Sequence, residues 1–217
     1  MVRVLGKENS IFNQFLSEIR DRHIQQDKLR FRKNLERLGE IFAYEISKEL
    51  TYEEKEVVTP LGTARMNLLK DQPLLATILR AGLPLHQGML NFFDHADNGF
   101  VSAYRKYDQD EDFVIKLDYI SAPSPSDSVL IISDPMLATG GSLIASIKGF
   151  LEKGKPVHIH VVSVLASKEG IENLKKTFSK LKMTIWTGAI DDELTAKAFI
   201  VPGLGDAGDL AYGKKED

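Results

Sequence analysis

The sequence has no cysteine, which excludes disulfides and thiolate metal centres and fits a reducing compartment, so the cytoplasm is the expected setting. It has no large excess of either charge. Lys and Arg number 28 against 31 Asp and Glu, a formal net charge of −3, and no global field is available to grip nucleic acid or an anionic membrane. Nor does any apolar run approach the roughly 20 residues that a membrane span requires. The opening MVRVLGKENS contains no sustained hydrophobic segment, so neither a secretory leader nor membrane insertion is expected. Internal repeats and low-complexity tracts are lacking too. What remains is an ordinary globular composition, 43% hydrophobic and 27% charged over 217 residues, enough for one α/β domain with some peripheral additions. Any anion that such a chain binds must be held by a local site.

Residues 10–50 read as helix, with Phe31, Leu35, Leu38, Phe42, Ile46 and Leu50 in one stripe at helical spacing. The expectation is an N-terminal helical arm, residues 1–56, whose stripe faces either the core or a second subunit. After residue 57, short apolar runs at 74–79, 100–104, 129–133, 157–165 and 183–187 alternate with helical stretches. That alternation is the signature of a mostly parallel, wrapped sheet in an α/β fold. Pro84 can open one helix, residues 142–153 form a second closed by Gly154 and Pro156, and residues 168–180 form a third. Residues 106–128 differ in kind: Asp108, Asp110, Glu111 and Asp112 precede Pro123 and Pro125, and the segment is expected to leave the core as a hairpin or mobile loop. Arm and core, the latter residues 57–217, make a single domain.

Three patterns point to chemistry that their context does not support. Gly203 to Gly208 reads GLGDAG, but the dinucleotide fingerprint works by opening a helix inside a βαβ unit, and too little chain follows for a crossover. The segment from Gly149 to Pro156 reaches GxxxxGK but has Pro156 where a phosphate loop needs Ser or Thr, and it ends a helix instead of beginning one. His158 and His160 share one face of an expected strand. Without a third ligand nearby they read as structural and not as a metal pair.

The informative segment is SVLIISDPMLATGGSLIASIKGFL. A buried strand, residues 129–133, runs into Asp134 and then into a small-residue turn that feeds a helix from Ser142. Backbone amides of Ala138, Thr139, Gly140, Gly141 and Ser142 can converge there on a phosphate, with the helix dipole adding positive potential. Thr139 and Ser142 add hydroxyl donors. The segment has no lysine of the kind that reaches the β- and γ-phosphates of a nucleoside triphosphate, so a terminal monophosphate is the expected guest. Asp134, at the strand end, can accept hydrogen bonds from vicinal ribose hydroxyls.

The run DPMLATGGS, Asp134, Pro135, Met136, Leu137, Ala138, Thr139, Gly140, Gly141 and Ser142, resembles the loop for phosphoribosyl pyrophosphate (PRPP) of the uracil phosphoribosyltransferases, which are type I phosphoribosyltransferases. Many relatives have two adjacent acids at its start, and Pro135 after Asp134 is the variation of the uracil enzymes. LRAGL, ending a strand with Arg80, resembles the family's basic residue at the pyrophosphate end of the site. Tyr104-Arg105 resembles the Tyr-Arg at the root of its mobile loop, where Arg105 would be the second pyrophosphate contact. IVPGLGDAGD resembles the uracil-binding segment. On that resemblance the backbone of Ile200, Gly205 and Ala207 faces the base and Asp206 lies toward PRPP.

The resemblance implies transfer of the 5-phosphoribosyl group of PRPP to uracil, giving UMP and pyrophosphate. Mg²⁺ would arrive with PRPP, held mainly by its oxygens and water, with no protein metal cage. Arg105, Asp134 and Asp206 are the expected catalytic residues, and the loop after Arg105 would close to exclude water. That loop, KYDQDEDF, is more acidic than the family pattern. The expected partners are small molecules, with no nucleic acid or membrane, in a homo-oligomer. The alternatives are a phosphoribosyltransferase for another base, and a nucleotide-binding regulator or sensor that keeps this fold without turnover.

Overall fold

The computed structural model describes residues 1–107 and 113–215, and of residues 103–107 and 113–117 the backbone alone. Strand β1 (Val2–Val4) leads into helices α1 (Ile11–Arg20) and α2 (Lys28–Ser47). A hairpin of β2 (Tyr52–Thr59) and β3 (Gly62–Leu69) follows, then β4 (Leu74–Leu79), α3 (Leu83–Leu90), β5 (Asp97–Tyr107) and β6 (Phe113–Ser121). Next come β7 (Val129–Ser133), β8 (Met136–Leu137), α4 (Gly141–Lys153), β9 (His158–Ser167) and α5 (Lys168–Thr177). The chain continues through β10 (Met183–Asp191), β11 (Glu193–Leu194), β12 (Ile200–Val201) and α6 (Ala207–Tyr212).

Local chemistry sets the helix starts. Ser10 accepts from the Phe12 amide, Asp27 from Arg30 and Ser167 from Gly170, each satisfying an amide that the helix itself leaves unpaired. Pro84 stands in the first turn of α3, where its missing N–H costs nothing. The expected helix over residues 10–50 is broken between α1 and α2. There the Asp21 carboxylate accepts from the amides of His23 and Ile24, offering the backbone an alternative to the helical ladder.

The main sheet has the order β1-β10-β9-β7-β4-β5-β6, and β8 also pairs with β9. Its neighbours are parallel except β5 and β6, which run antiparallel. The hairpin expected within residues 106–128 is thus β5 and β6 at the sheet edge. The acidic residues Asp108, Asp110, Glu111 and Asp112 lie outside the described residues.

Alternation along each strand divides the core into two layers. Leu75, Ile131, Val162 and Val164 face the N-terminal helices, in one cluster with Phe12, Phe31, Leu35, Leu38, Phe42, Ile46, Leu85 and Met89. Leu74, Ala76, Leu130, Ile132, Ile159 and Val161 face the other way, against Leu143, Ile147 and Phe150 of α4 and Ile171 and Leu174 of α5. The stripe Phe31, Leu35, Leu38, Phe42 and Ile46 is therefore buried within this chain, with Leu50 packed at its margin. Phe12 meets Phe42 edge to face at 5.2 Å between centroids. β1 joins the sheet edge beside β10, a strand that residue pattern alone did not suggest.

One carboxylate is buried between α1 and α2. Glu18 accepts both arms of Arg30 at 2.8 Å and the Asn34 amide at 2.6 Å. Arg30, then Asn34, hold its pKa down at about 2. At the opposite sheet edge from the strand C-termini, the His158 and His160 rings stack at 4.4 Å. His160 Nδ1 accepts from Trp186 Nε1 at 3.0 Å, and burial pushes His160 down to about 3. No helix among the described residues is long and apolar enough to cross a membrane.

Candidate active site

In an open, mostly parallel sheet, ligands bind in the crevice beyond the carboxyl ends of the strands. Three of the segments singled out above reach that edge. Arg80 directly follows β4, Asp134 directly follows β7, and β4 and β7 are adjacent, with Thr77 opposite Ser133 in register. The Thr77 hydroxyl donates to the Ser133 carbonyl at 3.3 Å and the Ser133 hydroxyl to the Ala76 carbonyl at 3.2 Å, a buried polar clip beneath the two strand ends. Arg105 lies on β5, beyond the position where Leu79 of β4 pairs with Ser102, with its backbone opposite Ile115. Its side chain is outside the described residues.

The loop from Asp134 to Ser142 is tied down by its carbonyl groups. The Pro135 carbonyl accepts from the amides of Val164 and Leu165, both at 3.0 Å. The Ala138 carbonyl accepts from the Ser167 hydroxyl at 2.6 Å, and the Thr139 carbonyl from the Asn173 amide at 3.1 Å. In a trans peptide unit the N–H points opposite to the C=O. Fixing the Ala138 and Thr139 carbonyls against β9 and α5 therefore turns the amides of Thr139 and Gly140 to the other side, toward the crevice. Gly140 has φ 84° and ψ −2° and caps α4 from its backbone, a left-handed conformation that glycine adopts without steric cost.

One crevice is lined by Asp134, Met136, Ala138, Thr139, Gly140, Gly141, Ser142 and Leu143. It gathers most of the loop residues expected to bind phosphate, at the start of a 13-residue helix whose dipole favours negative charge. Two of the expected residues turn elsewhere. Leu137 is fully buried in the α4 layer, its amide donating to Ser163 Oγ at 2.8 Å. Pro135 is also buried, against β9. Asp134 Oδ1 accepts from the Met136 amide at 3.4 Å and stands at the mouth.

The tail reaches the same edge from the other end of the chain. Ile200, Leu204 and Ala207 are buried in the cluster that Met136 and Ala138 pack against, while Gly205 and Asp206 are exposed. GLGDAG does open a helix, α6, but a short one after a two-residue strand, with no βαβ crossover. Asp206 is its cap, accepting from the Asp209 amide at 2.9 Å. The Arg80 guanidinium meets both the Asp209 carboxylate and the Gly213 carbonyl at 3.4 Å. Asp209 was not picked out by the sequence reading, nor was Arg32, which donates to the Ala211 carbonyl at 2.7 Å and lies over the Tyr212 ring. The cue for Asp209 was its place three residues after a capping Asp, at the first turn of a helix. No cue marked Arg32.

Among the described residues, no three His, Cys, Asp or Glu side chains form a group that could hold a metal ion. Of the carboxylates at this edge, Asp134 stands on one segment and Asp206 and Asp209 three residues apart on another, a set suited to an ion that brings most of its own ligands.

A sequence model of the family described as uracil phosphoribosyltransferase matches residues 7–214. The chain is 53% identical over 211 residues to a uracil phosphoribosyltransferase of Porphyromonas gingivalis, covering 97% of each chain. It is 40% identical over 211 residues to one of Thermococcus gammatolerans, covering 95% of this chain and 91% of the other. Among solved structures, a protein of Aquifex aeolicus is similar with a TM-score of 0.86 at 31% identity, over 98% of both chains. An adenine phosphoribosyltransferase of Trypanosoma brucei, at 12% identity and a TM-score of 0.53 over 90% of this chain and 86% of the other, shares the fold alone. With the family matched over nearly its whole length and the loop, strand-end arginine and tail meeting at one sheet edge, this chain belongs to the uracil phosphoribosyltransferase family.

Proposed function

We propose that the protein transfers the 5-phosphoribosyl group of PRPP to N1 of uracil, giving UMP and pyrophosphate. The observation that carries this reading is the convergence at one sheet edge of the Asp134 to Ser142 loop with the tail from Ile200 to Asp209. In this reading the 5′-phosphate sits on the amides of Thr139 and Gly140, and Asp134 accepts from the ribose hydroxyls. Arg80 and Arg105 stabilise the departing pyrophosphate, and Asp206 lies on the PRPP side of the tail. A Mg²⁺ ion bound with PRPP would rely mainly on PRPP oxygens and water and would supply charge neutralisation of the leaving group. Catalysis then rests on holding N1 of the base against the anomeric carbon while positive charge develops on the ribosyl ring.

Base choice follows from peptide geometry. Uracil offers an N3–H donor between two carbonyl acceptors, and cytosine reverses that pattern along the N3 and C4 edge. Fixed backbone groups of Ile200, Gly205 and Ala207 would then meet like partners. Leaving such groups unpaired rejects a ligand by about 10⁴-fold or more.

The same proposal extends to a cytoplasmic homo-oligomer. The β2–β3 hairpin stands apart from the main sheet and exposes Val58, Leu61 and Met66, apolar surface of the kind that a subunit contact covers. Sedimentation equilibrium reads the assembly. The activity is tested by supplying PRPP and Mg²⁺ with uracil, cytosine, hypoxanthine or orotate separately and measuring nucleotide and pyrophosphate. Release with uracil alone supports the reading, and nucleotide formed from another base and not from uracil overturns it.

A further inference from the structure

The turn at Gly203 and Leu204 is held by groups from distant parts of the chain. Asp191, at the end of β10, is only 7% exposed. Its Oδ2 accepts from the Gly203 amide at 2.9 Å. Both of its oxygens receive Arg20, the last residue of α1, with Nη1 to Oδ2 at 2.9 Å and Nη2 to Oδ1 at 2.8 Å. The same Arg20 Nη1 donates to the Gly203 carbonyl at 3.2 Å. Both polar backbone groups of Gly203 are therefore engaged by one ion pair. With its amide oriented to satisfy both neighbours, Gln25 donates to the Leu204 carbonyl at 2.8 Å and the Ile19 carbonyl at 3.3 Å. Gly203 has φ 54°, and a Cβ there would run into the Ile200 carbonyl.

Apolar burial already docks this tail through Ile200, Leu204 and Ala207. Hydrophobic contact is non-directional, so it sets the depth of the segment without setting the rotation of its peptide planes. A bidentate Arg–carboxylate pair fixes a plane. A desolvated ion pair is also weak as a source of stability, since the cost of removing two charges from water offsets most of their attraction. Directional control is what this arrangement adds.

We propose that Arg20 and Asp191, aided by Gln25, are positioning residues for base recognition: they set the orientation in which the peptide groups of Ile200, Gly205 and Ala207 are presented to the base. The inference rests on reading residues 200–209 as the base-binding segment. It makes the end of α1 part of the specificity apparatus, although neither side chain need touch substrate.

The test is steady-state kinetics of Asp191→Asn and Arg20→Lys, alongside wild type, with thermal unfolding of each. Asn keeps the shape and loses the charge; Lys keeps the charge and loses the planar fork. Misplacing a recognition surface by about 1 Å costs up to about 10²-fold, so the KM for uracil should rise at least about tenfold. Discrimination against cytosine should fall with it, while the KM for PRPP stays within about twofold. If Asp191→Asn does not fold, Arg20→Lys decides the question. Loss of melting temperature with unchanged KM for uracil and unchanged cytosine discrimination, in a wild type that makes UMP, overturns the brace alone. A wild type that makes no UMP overturns the base-binding reading and the brace with it.

Discussion

Asp134 directly follows β7 and Arg105 lies among the last paired residues of β5, so their removal should separate chemistry from folding. Asp134→Asn and Arg105→Ala should each lower kcat by about 10²-fold or more, the usual effect of losing one preorganised electrostatic contact, with far-UV circular dichroism unchanged. Asp206 offers a cleaner separation. It caps α6 by accepting from the Asp209 amide, and Asn caps about as well as Asp. Asp206→Asn should therefore keep its melting temperature yet impair turnover and PRPP saturation, which kinetics at varied PRPP would read. Gly140 tests the cradle itself. At φ 84°, with a Cβ placed 3.2 Å from the Gly170 carbonyl, Gly140→Ala forces a left-handed non-glycine residue at a cost of about 1–2 kcal/mol. The loop should relax away from its phosphate-binding shape, and the KM for PRPP should rise more than that for uracil.

Between elements, the buried histidines make stability depend on acid. His160 is held at about 3 in the folded chain, by burial first and then by the neighbouring His158, against its ordinary value of about 6.5. The unfolded chain takes up this proton below about 6.5 while the folded chain does not. The contribution is thus fully present above that pH and is lost as pH falls toward the folded value. His86 and His158 are also lowered, chiefly by burial, and act in the same direction. Glu18, held at about 2 by Arg30 and Asn34 against an ordinary 4.5, gives stability that is lost only below its own ordinary value. Urea unfolding at pH 7.5, 6 and 5 should show a falling midpoint. His160→Gln, which retains an acceptor for Trp186, should flatten that slope, and an unchanged slope would count against it.

For the whole molecule, the alternation of apolar runs and helical stretches was enough to foresee a mostly parallel α/β sheet, because β4, β7 and β9 are buried on both faces and read as continuous apolar runs. The Asp134 to Ser142 crevice was legible for the same reason, since strand, turn and helix start are contiguous in sequence. Most of what escaped was made by distant pairing, the local break at Asp21 being the exception. β1 is three residues long and becomes a strand only beside β10. The break at Asp21 depends on one carboxylate taking two local amides. The side chains of Arg20 and Asp191 meet across 171 positions, and neither carries a local signature. Leu137 and Pro135 lie within the motif but face the core, a distinction set by tertiary hydrogen bonds to β9 and not by residue type. The central claim, that the turn around Thr139 and Gly140 is the phosphate cradle, is tested most directly by a crystal structure of the protein with PRPP and Mg²⁺ and no base. The account predicts the 5′-phosphate on the amides of Thr139 and Gly140 with the ribose hydroxyls at Asp134; a phosphate bound elsewhere, with that turn left empty, would contradict it.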